Sequence, residues 1–170
     1  MRITPEFVLE HAPSARDVEN LVGELRGAGL TRLEVLELDV PWQEQLWLLC
    51  LPGVLSKRVL RLFTVGCAER ALRAVGVTDE RCWNAVDMAR KCAYGMVSDN
   101  VLDPFAKAAY MAYDESDHDA HYATFAAYAA AFADHDAIYA ATAALTTKQT
   151  AEEETQRQNL RELIVEYHGE

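Results

Sequence analysis

The chain has 170 residues, 51% of them hydrophobic, and a formal net charge of -11. That is enough apolar material for one sizeable core and too much for a disordered chain. The acidic balance disfavours nucleic acid, whose phosphates recruit Lys and Arg, and no charge-free apolar run reaches the roughly 18 residues a membrane span needs.

Helix punctuation recurs along the chain. Thr4 caps a first short helix with Pro5 in its opening turn. Ser14 and Asp17 start a second, which ends near Gly27 and Gly29. Thr31 and Glu34 form a capping-box pattern, opening a helix that carries Leu33, Leu36 and Val40. Pro41 begins PWQEQLWLLCLPG. Its WLLCL run is ambiguous between helix and strand, but the preceding Gln-Glu-Gln favours helix. Trp42, Leu46, Leu49 and Cys50 share one face there, broadened by Trp47, before Pro52 and Gly53 end the element. Ser56 caps the next helix, where Val59, Leu62, Phe63, Gly66, Cys67, Ala71 and Ala74 form a stripe closed by Gly76. Gly66 in a helix interior costs about 1 kcal/mol against alanine, which a close helix crossing would explain.

Thr78 opens TDERCWNAVDMARKCAYG, closed by Gly95, with Cys82, Ala85, Val86, Ala89 and Ala93 buried and Trp83 at the flank. Asp103 and Pro104 start an alanine-rich run that reaches Leu145, with a break expected across the acidic Asp114–Asp119 segment. Phe125, Tyr128, Phe132, His135, Tyr139 and Thr142 recur at steps of three and four, one stripe of a long helix made to pack against others. A final amphipathic helix spans about residues 148–167, with Leu160, Leu163, Ile164 and Tyr167 facing inward and Glu152–Glu154 near its positive end. The sum is an all-α domain over residues 1–170, a helical bundle or stacked helical pairs with seven to nine helices.

Charge is distributed unevenly. Residues 1–56 carry 4 basic and 9 acidic side chains, residues 57–110 carry 9 and 6, and residues 111–170 carry 3 and 12. The basic middle, with Arg58, Arg61, Arg70, Arg73, Arg81, Arg90 and Lys91, is expected to pair with the acidic C-terminal helices, within the chain or across a dimer. The four cysteines, Cys50, Cys67, Cys82 and Cys92, have no metal-binding or redox spacing and read as buried free thiols. The opening MRITPEFVLEH has acids and a proline where a signal peptide needs a basic then apolar stretch, so a cytoplasmic location is expected.

Residues 59–97, VLRLFTVGCAERALRAVG followed by DERCWNAVDMARKCAYG and MVSD, resemble a group of bacterial and phage-borne all-helical immunity proteins. The usual pattern there is an Arg-Leu-Phe-Ala-Cys-x-Cys-Ala-Glu-Arg helix, an Asp-x-Arg start and an alanine-rich helix ending in Gly. WLLCLPGVLS resembles the segment leading into it. Val65 stands where the first cysteine of the usual pair would be, so a Cys-x-Cys clasp is not expected. The resemblance implies a protein that binds and neutralises a toxin, and it carries over no catalytic residue.

No nucleophile elbow, phosphate-binding loop or dinucleotide fingerprint occurs. The expected function is therefore that of a non-enzymatic binding protein without cofactor and, as the resemblance implies, an immunity-type inhibitor that would occlude a protein partner with a basic surface. Its contact residues would be Asp114, Glu115, Asp117, Asp119, Tyr122, Asp134, Asp136 and Tyr139. Tyr110 and Tyr113 are further tyrosines for such a surface, and a homodimer is left open. The alternative is a metal-binding protein or metal-dependent enzyme using His118, His121 and adjacent acids, because Asp114 and His118, and Asp117 and His121, are spaced four apart. Against it, His121 and His135 would lie about 21 Å apart along one helix. Local Asp–His hydrogen bonding on a solvated acidic face is the simpler account.

Overall fold

The computed structural model describes residues 1–11, 25, 29–131, 141–143 and 149–170, with the side chains of residues 118, 119 and 149–151 excepted. These residues form α1 (Pro5–His11), α2 (Arg32–Val35), α3 (Trp42–Leu49), α4 (Lys57–Val75), α5 (Glu80–Ala93), a 3-10 turn (Asp99–Val101), α6 (Leu102–Glu115), α7 (His118–Ala131) and α8 (Gln149–His168). The protein is all-helical, its helices packed in one body, and the described residues contain no strand. Their one extended pairing is an antiparallel bridge between Ile3 and Leu30. Gly29 beside it has φ +71°, and a Cβ there would lie 2.7 Å from the Ile3 carbonyl oxygen, so only glycine fits. The helix expected from Ser14 and Asp17 to Gly27 lies outside the described residues.

The caps form where the side chains permit. Thr4 accepts from the Phe7 N–H. Thr31 accepts from the Glu34 N–H while the Glu34 carboxylate accepts from the Thr31 N–H at 2.7 Å, and Ser56 accepts from the Val59 N–H. Gly76 closes α4 in the left-handed conformation. Two expectations are corrected. The cap of α5 is Asp79 rather than Thr78, because its carboxylate reaches the Arg81 N–H at 2.9 Å. The helix from Thr31 lasts a single turn and leaves Val40 outside it, since Pro41 bars Val40 from the helical region. The carbonyls of Leu38 and Val40 accept from the Gln45 side chain instead, which accounts for a glutamine buried on α3.

α4 is the central helix, packed against α5, α7 and α8. Its first half is buried nearly all round, through Val59, Leu60, Leu62, Phe63 and Val65, the pattern of a helix inside a bundle. Ala74, expected on the buried stripe, is exposed, because the last turn of α4 emerges from the packed body. Gly66 sits where α8 crosses, and a Cβ there would meet Asn159 Oδ1 at 3.1 Å. The close crossing expected from that glycine is therefore present. Below it, Trp42, Leu46 and Leu49 of α3 join Leu160 and Ile164 of α8 in the core. The Trp42 indole N–H donates to Gln156 at 2.9 Å, and the Gln156 amide donates to the Ala141 carbonyl at 3.0 Å.

Over residues 102–131 the alanine run divides into two helices. α6 ends at Glu115, Ser116 and Asp117 turn the chain, and α7 starts at His118, so the break expected in the acidic segment is present. The buried face of α7 is Ala123, Ala126, Ala127 and Ala130. Phe125 and Tyr128 are only half-buried. Phe125 and Tyr128 therefore pack at the seam with α6, while small side chains, the alanines and Thr124, are the buried ones on α7. Phe132, His135 and Tyr139 lie outside the described residues. All four cysteines are free, with Cys67, Cys82 and Cys92 buried, and burial pushes the Cys67 thiol up to about 12. No described helix is long and apolar enough to cross a membrane.

Candidate interaction surface

The antiparallel α6–α7 pair brings six rings together. Tyr110 and Tyr113 on α6 meet Tyr128 and Phe125 on α7 with centroids 5.4 and 5.3 Å apart. His121 lies 4.1 Å from Tyr113 and packs edge-on to Tyr122. Such offset and edge-to-face contacts lock the rings in place. The outer rim remains in solvent: Tyr110 is 48% exposed, Met111 56% and Tyr122 45%.

Three acids stand at the end of this ridge. Asp114, Glu115 and Asp117 are exposed. Glu115 accepts from Arg81 at 2.7 Å, and Arg81 also grips Asp79. That pairing holds the Asp79 carboxyl below its usual range and fastens the end of α6 to the start of α5. Asp117 accepts from the Ala120 N–H at 3.0 Å and so caps α7. Neither Asp114 nor Asp117 has a cationic partner among the described residues. A cleft of about 500 Å³ lies beside the turn, lined among others by Val77, Asp79, Arg81, Ser116 and Thr124.

Five of the eight contact residues expected from sequence therefore fall on described backbone at one end of the bundle: Asp114, Glu115, Asp117, Asp119 and Tyr122. The Asp119 side chain, and all of Asp134, Asp136 and Tyr139, lie outside the described residues. Sequence reading missed Met111, whose signal was a methionine beside Tyr110 on the turn preceding an acidic break. Arg81 was expected to pair with the acidic C-terminal segment and does so, but Glu115 as its particular partner, 34 positions away, leaves no local trace.

The metal alternative fares differently. The His121 ring lies against Tyr113, the Asp117 carboxylate caps a helix, and the His118 side chain is outside the described set. Among the described residues no group of three or more His, Cys, Asp or Glu side chains is placed to hold an ion. The basic middle meets the acidic C-terminal segment only in part: Arg70 reaches Glu152 at 2.9 Å and Arg81 reaches Glu115 at 2.7 Å, whereas Arg61 pairs with Asp99 at 2.9 Å and Arg90 with Glu69 at 2.7 Å, acids of the basic middle itself. No family model matches this chain, and neither a curated protein nor a solved structure matches it.

Proposed function

We propose that this protein is a non-enzymatic binding protein, an inhibitor of the immunity type, which covers a basic surface of a protein partner with the α6–α7 face. The observation that carries the reading is that Tyr110, Met111 and Tyr122 are all exposed on the helix pair whose rings lock together, with Asp114 and Asp117 exposed at its turn. Exposed apolar groups rimmed by charge are a mark of interaction surfaces. Tyrosine supplies rigid contact area with a wet hydroxyl, and methionine adapts to an irregular partner. The acids steer a basic partner into register, and occlusion then requires no chemistry from the inhibitor.

The test is capture from a lysate of the native host on immobilised protein, wild type against Tyr110→Ala/Tyr122→Ala. The reading expects a basic protein retained by wild type, released by about 0.5 M salt, where screening is nearly complete, and lost from the variant. Retention of the same proteins by both would overturn it.

A further inference from the structure

The other end of the bundle carries the complementary chemistry. There the start of α4 meets the ends of α5 and α8. Arg58 is exposed, with its guanidinium carbon 5.4 Å from the Tyr94 ring centroid and 4.4 Å from that of Tyr167. The other eight cations between residues 57 and 107 each reach a carboxylate. Arg58 alone among them has none among the described residues. A guanidinium gripped by two rings is oriented in advance, so less freedom is lost when its fork meets a carboxylate. Tyr94, 46% exposed, and Met96, 71% exposed, lie at the same helix end.

We propose that Arg58, Tyr94 and Met96 form a carboxylate-reading patch whose occupant is the acidic end of a second copy of this chain. The inference rests on the α6–α7 face being a binding surface. Complementarity argues for it: one patch offers a guanidinium with Tyr and Met, the other offers Asp114 with Tyr110, Met111 and Tyr122. Asp114 has no cationic partner and Arg58 no carboxylate among the described residues, so each patch presents the charge that the other lacks. The two patches cannot meet within one molecule, because the 19 residues of α4 separate them by about 28 Å. A second copy and a basic partner would compete for the α6–α7 face, so self-association would be released by partner binding.

Sedimentation velocity of the full chain over a wide concentration range, at low and at high salt, tests this. Wild type should associate at low salt and dissociate as salt rises. Arg58→Glu and Asp114→Arg, both exposed and checked for fold by circular dichroism, should each weaken association at least about tenfold, as for a lost charge pair. Arg58→Glu combined with Asp114→Arg should recover it, and Arg58→Lys should lose only part. A wild type that stays monomeric throughout, or association indifferent to Arg58→Glu, would overturn the proposal. Because Arg58 lies off the α6–α7 face, Arg58→Glu should still capture a basic partner, so failure here and failure of the proposed function are read separately.

Discussion

Gln156 is fully buried with both ends of its amide engaged, by the Trp42 indole, the Ala141 carbonyl and Glu152. Replacing it with Leu strands the indole N–H in the core, at a cost of about 1–3 kcal/mol. In urea melts, Gln156→Leu should be destabilised by that amount, and adding Trp42→Phe should recover part of the loss. His168 makes a second prediction. Its ring nitrogen accepts from the Ser56 N–H at 3.4 Å, which requires the neutral form, and burial followed by the nearby Arg32 charge lowers its pKa below 6.5. Below pH 6.5 the unfolded chain takes up the proton more readily, so this contribution is present above that value and is lost on acidification. Thermal melts should show a fall in Tm between pH 7 and 5 that is smaller in His168→Gln. Both contacts join residues more than a hundred positions apart, and neither could be read from local pattern.

Among the helices, α7 tests the packing account most sharply. Its core face is alanine, with Ala126 and Ala127 fully buried, so added methylenes have nowhere to go. Ala126→Leu should cost about 1–3 kcal/mol through overpacking, whereas Tyr122→Ala at the exposed rim should stay within about 0.5 kcal/mol. Equal losses would show that the rings, not the methyl groups, hold α7 in place. The sequence was legible wherever a short-range rule decides the outcome: the caps at Thr31 and Ser56, the stop at Gly76, the glycine crossing at Gly66. It misled where neighbours decide. An aromatic at every third or fourth position predicts a packing stripe, but the core face of α7 is taken by small side chains, and Phe125 and Tyr128 pack at the seam with α6 instead. Thr78 lost its capping role to Asp79 because a carboxylate one residue later could also bind Arg81. Of the candidate surface, the acids and Tyr122 were visible as composition, while their rigid aromatic base depended on how α6 folds back on α7.

The whole molecule is a bundle with unlike ends, one holding Arg58 between two tyrosines and the other holding Asp114 and Asp117 beside Tyr110 and Tyr122. On this account a basic partner is drawn in by charge and held by rings, so its association rate should fall steeply between 50 and about 300 mM salt, while dissociation should respond chiefly to the tyrosines. Stopped-flow measurements on the captured partner check both. The most direct test is hydrogen exchange on this chain alone and in complex with that partner. The account predicts new protection concentrated in residues 108–125, across the end of α6, the turn and the first half of α7. Protection confined to α3, α8 or the Arg58 end, with the α6–α7 face unchanged, would contradict it.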